Sequence, residues 1–566
     1  MQNITTIALV GGGPAALFMM KYISDANSGI TEVLIFEKND RLGAGMPYSE
    51  KGAKKEHVAN VSAKELPKLI DTLPEFISKY PQQDFPDFVK DNTIDENIVV
   101  PRLLLGNYLE YEFQKYIGLA KKKGIQVSTY TKTEVLDILP QKPEGYKIIS
   151  PDDIFFVNIA VICIGHTWIK KFEEHISGWY DSPYPPSKFT DKTNYPVAIR
   201  GASLTAVDAI KTLARLNGSF ENKGEKLIYN KFEACPDFKI NLYSLRGFLP
   251  AIRFHTDDEI FSTEWTMTHD EIYDYKKNHG GFVDLDFVYQ RNFLLPLRKK
   301  DALFYERVKD LSIEDFVSEM LKIRKELDSF LLFKAEYREA EKSYQRQQSV
   351  VWKEILSAFS YAVNYPAKHF PAEDMLRLKK TLMPLISIII ASLPQSSYHE
   401  MMALYEAGVL TSFAIDMESE VIPSNRGGAD YRVVFRDGSA EIHYYQMFVD
   451  AVGQRPMQFN DIPFESLKVS GEISPGFLYF KNQNEGKKLF DKGDKSVKQN
   501  SNGKYYLMVT GLEINDDFQA LDSYGAAHQN LFLMSVPFIG GLNPDYSGLD
   551  FCDTAAERIV TKISNN

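Results

Sequence analysis

Gly11, Gly13, Pro14, Ala15 and Ala16 stand between a short apolar run, Thr6 to Val10, and the start of a helical pattern. A turn of this composition brings the backbone up to a pyrophosphate. Gly11 permits the tight turn, Gly13 has no Cβ to hold a phosphate away, and Ala16 lets the helix lie close on the strand. Pro14 suits the first helical turn, where its missing N–H is not needed. The next apolar run, Val33 to Phe36, ends in Glu37 and Lys38, at about the 20-residue distance the dinucleotide fingerprint requires. A carboxylate there accepts hydrogen bonds from both ribose hydroxyls and disfavours a 2′-phosphate. Strand, turn, helix, strand and terminal acid together predict an adenine dinucleotide in a first nucleotide unit.

The pattern returns near residue 196. Val197 to Arg200 leads into Gly201, Ser203, Leu204 and Thr205, with serine where the middle glycine of the fingerprint would stand. The strand that should follow, Lys239 to Tyr243, lies nearly twice the usual distance away, which requires an insertion around Asn217 to Phe238. Ser244 and Arg246 follow it in place of an acid. They suit the 2′-phosphate of NADPH through charge-assisted hydrogen bonds, so NADPH is expected over NADH.

These two turns need sheets to hold them. The chain has 566 residues, 44% of them hydrophobic, enough for several cores. It has 65 Lys and Arg against 76 Asp and Glu, a net charge of −11, which argues against nonspecific binding to nucleic acid or an anionic membrane face. The three cysteines form no CxxC and no metal-ligand cluster. A reducing, cytoplasmic location is expected. The apolar start has no basic flank and reads as a core strand, not a signal peptide. The longest apolar run, Leu382 to Leu393, is too short to span a bilayer and reads as a buried helix. Helical periodicity with many charges fills Ser312–Phe330 and Ala335–Ala358, and strands return at Tyr431–Phe435 and Tyr444–Val452. Two apolar strands ending in glycine, at Ile159–Gly165 and before Gly453, suggest the two chain crossings between nucleotide units.

The expected class is α/β: two Rossmann-like, three-layer dinucleotide-binding domains with a largely helical insertion. Residues 1–190 should form the first part of an FAD domain and 191–300 the first part of an NAD(P)H domain. Residues 301–420 should be the helical insertion, 421–455 the return strands of the NAD(P)H domain, and 456–566 the carboxy-terminal part of the FAD domain.

The chain resembles bacterial FAD/NAD(P)-binding flavoproteins with two Rossmann units, distantly similar to N-hydroxylating and Baeyer–Villiger flavin monooxygenases. The residues that carry the likeness are the first fingerprint, Gly43 to Ser49, His57 to Val61, Pro101-Arg102 with Gly106, Gly201 to Asp208, Ser244 to Pro250, and Ala555 to Arg558. The resemblance implies FAD in the first unit and NAD(P)H in the second, and leaves the substrate open. The Baeyer–Villiger fingerprint is absent, and so is the cysteine pair of disulfide reductases. Ser535-Val536-Pro537 stands where such proteins usually carry Gly-Asp.

Further cofactor contacts are expected at Tyr48 and Ser49, which follow a glycine loop, at Asn60, and at Gly165. Arg102 has two readings, a partner for the FAD pyrophosphate or an exposed helix-start arginine. His166 is more often structural at such a place. Gly541 and Leu549 should bring a helix amino terminus to the flavin pyrimidine edge, where its dipole favours negative charge. His255 to Glu259 is acidic but assigned no metal, because adjacent carboxylates rarely converge. Flavin carries the hard chemistry in such a protein. With no cysteine pair to take electrons, O2 or a small organic acceptor is expected, and the leading reading is an NADPH-using monooxygenase of a small organic substrate. The alternatives are a flavin reductase or oxidase without oxygen insertion, and a flavin-bound sensor or scaffold whose helical insertion binds a partner. A homodimer is compatible with the sequence, and catalytic residues are not identified by it.

Overall fold

A computed structural model describes residues 5–25, 29–245, 247–256, 265–545 and 547–565. Its first sheet has six strands in the order Gln519–Leu521, Ala527–Leu533, Ile159–Ile162, Thr6–Val10, Glu32–Glu37, Gln126–Thr131. All neighbours are parallel except the edge strand Gln519–Leu521. Every residue of Thr6–Val10 is buried, as a central parallel strand covered on both faces must be. Helices Pro14–Asp25, Arg102–Lys122 and Gly548–Ser564 pack side by side. An antiparallel meander, Asp137–Pro140, Tyr146–Ile149 and Ile154–Val157, lays Phe155 against Phe36 and Tyr130.

The second sheet repeats this plan in the order Trp179–Tyr180, Met447–Asp450, Pro196–Arg200, Lys239–Leu245, Leu410–Ile415, all parallel. It too inserts an antiparallel meander, from Glu420 to Tyr445, here between its fourth and fifth strands in chain order. The extra length near residue 217 is a hairpin, Gly218–Lys223 with Lys226–Lys231.

Three features depart from the expected boundaries. The helices begin at His269, not near 301, because short charged segments such as His269–Asn278 bury a single residue and have little periodicity to read. Leu410–Ile415 lies inside the range expected to be helical, yet it is the edge strand of the second sheet. The stretch 475–512 was expected to close the FAD domain. Instead it forms its own antiparallel sheet, and Leu478, Phe480, Val497, Leu507 and Val509 share a core with Phe316, Phe359 and Leu385 of the helices. The middle body is therefore built from two distant stretches. Not all helices belong to it: Ser329–Arg346 and Gln395–Glu406 place Phe330, Phe333, Tyr398 and Met401 in the core of the second nucleotide unit. Leu382 to Leu393 contains helix Met383–Ile390 with Leu385, Ile386 and Ile389 buried.

Candidate cofactor cleft

The two glycine turns are built alike. Gly11 donates its N–H to the Phe36 carbonyl at 2.9 Å, and Gly201 donates to the Tyr243 carbonyl at 2.7 Å. Their φ angles are +112° and +116°, a region that L side chains avoid. A Cβ on Gly11 would stand 2.7 Å from the Cys163 carbonyl oxygen, and one on Gly201 would strike that of Ala451. A Cβ on Gly12 would collide with Leu42 and with Glu37. Gly13 is different. Its nearest neighbour would be the Gly45 Cα at 3.4 Å, an ordinary contact. Packing dictates Gly11 and Gly12 and does not dictate Gly13.

Around this turn the expected residues fall as follows. Pro14 opens helix Pro14–Asp25, with Ala15 and Ala16 buried behind it. Glu37 is buried at the strand end and accepts from the Gly12 N–H at 2.9 Å and from both nitrogens of Asn39 at 2.8 Å. Lys38 is exposed. Gly43 donates to the Gly12 carbonyl at 2.8 Å and brings its loop across the fingerprint. Ser49 is buried, and its hydroxyl donates to the Met46 carbonyl at 3.2 Å, so it closes that loop. Asn60 is exposed and its carbonyl accepts from Arg253. Gly165 is exposed at the strand end with open space about it. Leu549 is buried in the first turn of helix Gly548–Ser564, and Gly541 is pressed against the Thr510 backbone.

Three further residues combine exposure with surrounding protein. Tyr48 and His166 are half-exposed and Asp550 is exposed. Surrounding protein nevertheless pushes the Tyr48 hydroxyl up to about 12 and the Asp550 carboxyl up to about 6, and holds His166 below the ordinary histidine value. Asp550 was missed in the sequence because nothing local separates it from any other helix-start acid. His166 also ties the two chain crossings together: Gln454 meets its Nδ1 at 2.5 Å and donates to the Thr167 carbonyl at 2.8 Å.

Arg102 fits neither of its expected readings. It is half-buried, and it pairs with Asp208 of helix Leu204–Asn217 at 2.6 Å while its Nε donates to the Val58 carbonyl at 3.1 Å. Tyr184 donates to the same Asp208 oxygen at 2.6 Å. Beside them His57 accepts the Lys54 N–H at Nδ1, 3.1 Å away, which puts its proton on Nε2, facing the Asp208 carbonyl and the Thr212 hydroxyl. Motif residues from both nucleotide units thus form one buried polar contact between them.

In the second unit Ser203 is the exposed N-cap of helix Leu204–Asn217, with no cap bond from its hydroxyl, and Leu204 and Thr205 begin that helix half-buried. Ser244 does not display its hydroxyl to a phosphate. The strand runs on to Leu245, Ser244 still pairs with Ala414, and its Oγ is buried without a partner. Arg246 lies outside the described residues, as do Asp257 to Glu259 of the acidic segment. Arg200 and Asp450 form an ion pair where two strands of this sheet end.

Among known proteins, residues 8–167 match the FAD-NAD(P)-binding family and residues 268–390 the YdhS-like middle domain. The chain is 25% identical over 474 residues to the uncharacterised protein YdhS of Escherichia coli (strain K12), covering 82% of this chain and 85% of that one. Among solved structures, L-lysine 6-monooxygenase from Pseudomonas syringae is 11% identical with a TM-score of 0.48, covering 100% of this chain and 99% of that one. Bacillithiol disulfide reductase from Staphylococcus aureus is 11% identical with a TM-score of 0.42, covering 99% and 98%. Among the described residues no helix is long and apolar enough to cross a membrane. Two Rossmann-like sheets, each with its glycine turn, give the chain an FAD/NAD(P)-binding fold, with residues 8–167 matching the FAD-NAD(P)-binding family and residues 268–390 the YdhS-like middle domain.

Proposed function

We propose that this flavoprotein is an NADPH-using monooxygenase of a small organic substrate, with O2 as its second substrate. The observation that carries the first half of this reading is Gly13, a glycine that packing does not require, in the turn between strand Thr6–Val10 and helix Pro14–Asp25. Bound FAD supplies the two-electron chemistry between NADPH and O2. Gly13 and the free N–H groups that open helix Pro14–Asp25 would receive its pyrophosphate. Glu37 would receive its ribose, giving up contacts with Asn39 and Gly12 for the sugar hydroxyls. Tyr48 and His166 crowd the cleft and exclude bulk water.

The second half rests on the thiols. Cys163 and Cys552 are free and buried, and burial pushes both well above the ordinary thiol range, Cys552 to about 12. Cys235 is free, buried and bonded to Asn217. A thiol held neutral is a poor nucleophile, so a dithiol relay is disfavoured and O2 is left as the electron acceptor. Anaerobic NADPH should bleach the flavin absorption. Readmitted O2 should then restore it with little peroxide when the right substrate is present. Stoichiometric peroxide under every substrate tried would make the protein an oxidase.

A further inference from the structure

The middle domain reaches the edge of the first sheet at which a dinucleotide would lie. Strand Ala527–Leu533 runs parallel to Ile159–Ile162 in that sheet, and ligands of such sheets lie beyond the carboxyl ends of the strands. The chain leaves Leu533 at that end. Met534 donates to the Ile162 carbonyl at 2.9 Å, and the Ser535 hydroxyl to the Ile164 carbonyl at 2.6 Å. A loop then leads to helix Gly548–Ser564. Asp550 and Cys552, in its opening turns, act electrostatically on the Tyr48 hydroxyl. Tyr48 follows the glycine loop whose Gly43 is bonded to Gly12 of the fingerprint. The start of the helix therefore lies on the cofactor side of the sheet.

Helix Val351–Val363 of the middle domain grips this loop. Asn364, wholly buried, caps the helix at its carboxyl end. Its Oδ1 accepts the Asp545 N–H at 2.8 Å, and its carbonyl accepts from Asn543 Nδ2 at 3.1 Å. Its own Nδ2 turns back to the Ser360 carbonyl at 3.2 Å, which fixes the amide in one orientation. Ser360 donates its hydroxyl to the Asp545 carboxylate. Beyond the loop, the Tyr361 and Thr554 hydroxyls meet at 2.9 Å, and Thr554 is the i+4 neighbour of Asp550 on one face of its helix. Side chains of the middle domain thus hold both the loop and the opening turns of helix Gly548–Ser564. The partial positive charge of a helix amino terminus favours a nearby anion, and it fades within the first turn. A small retreat of that turn is enough to weaken it.

We propose that Asn364 is a positioning residue for the flavin: through it the middle domain holds the loop before helix Gly548–Ser564, and so holds that helix start where it favours the negative charge of reduced FAD. The proposal rests on bound FAD and is independent of what later takes the electrons.

The purified, FAD-loaded protein is reduced anaerobically beside a reference dye, and the two absorption changes give the equilibrium constant for flavin reduction. Asn364→Ala should lower that constant about 2–5-fold, the worth of a helix terminus beside a charge. Ser360→Ala, which removes the hydroxyl bonded to Asp545, should lower it in the same direction. Phe316→Leu loosens the core of the middle domain away from the loop. It should lower the melting temperature and leave the constant at its wild-type value, as a merely structural role for Asn364 also would. A wild-type constant in folded, FAD-loaded Asn364→Ala overturns the proposal. If Asn364→Ala does not fold, the same result in Ser360→Ala overturns it. An equal fall in Phe316→Leu overturns it too, because any loosening of the domain would then suffice. A wild-type protein that purifies without flavin defeats the FAD reading, and the proposal with it, before any variant is made.

Discussion

Arg102, at the start of a helix in the first nucleotide unit, is ion-paired at 2.6 Å with Asp208 in the first helix of the second. Burial opposes the Asp208 charge, but Arg102, His57 and the Tyr184 hydroxyl outweigh it and hold the carboxyl below the usual range. The pair ties a helix of the first nucleotide unit to a helix of the second. Arg102→Met leaves Asp208 buried without its partner and should cost about 3–5 kcal/mol, whereas Arg102→Met with Asp208→Leu should recover much of that loss. Urea melts of the three proteins decide it; equal losses in single and double variants would dismiss the coupling.

His57 gives a pH signature at the same contact. Burial holds it below the ordinary histidine value, so between about pH 6.5 and its lowered folded value the unfolded chain binds a proton that the native chain does not. Stability from His57 is therefore full above about pH 6.5 and falls as pH drops through that window. Asp208, with its depressed carboxyl, has the same sign at lower pH: its contribution is present above about pH 3.9 and is lost in stronger acid. His57→Gln should flatten the decline of the urea midpoint between about pH 7 and 5. A slope identical to wild type would show that His57 titrates normally.

The fingerprint glycines should separate by mechanism. The Cβ of Gly13→Val meets only Gly45 within 4 Å, so the chain should fold far better than Gly11→Val and lose its yellow FAD. Gly11→Val combines a φ of +112° with a carbonyl 2.7 Å away and should fail to fold. Stoichiometric FAD on a folded Gly13→Val protein would remove the phosphate from that position.

Much of this arrangement is readable in the sequence because it repeats a local rule. A strand, a glycine turn and a helix announce themselves within twenty residues, and they do so twice. The rest is a matter of long-range pairing. Nothing near Arg102 names Asp208, 106 residues away, and the alternation of Tyr505–Leu512 does not say which core its buried side receives. Ser244 departs from expectation for a local reason: the strand pairs two residues beyond Tyr243 and holds Ser244 in the sheet.

Arg246 lies outside the described residues, and its contact with a 2′-phosphate is a prediction. Arg246→Ala should reduce the NADPH-over-NADH preference by about 10–150-fold, as the loss of a charge-assisted pair implies. Steady-state kinetics with both nucleotides measure the ratio, and an unchanged ratio would place the 2′-phosphate elsewhere, Arg200 being the next arginine at that sheet end.

Replacing Cys163, Cys235 and Cys552 together by serine should lower stability, since all three are buried and a hydroxyl in an apolar site costs about 1–3 kcal/mol. The rate at which NADPH bleaches the flavin should stay near wild type. A folded, FAD-loaded variant that no longer accepts electrons would point to a thiol relay.

The pairing of Ile162 with Leu533 has a consequence for how the molecule is made. The strand that borders the first glycine turn is translated early, and its outer neighbour comes 371 residues later, a delay of about 20–70 s at roughly 5–20 residues per second. Throughout that interval the first sheet presents a bare edge on the ribosome, while the second unit, whose strands all lie between Trp179 and Asp450, can close. Nascent chains should therefore acquire the nicotinamide side of the molecule before the flavin side, and depend on chaperones to keep Ile159–Ile162 from pairing with another chain until its own partner emerges.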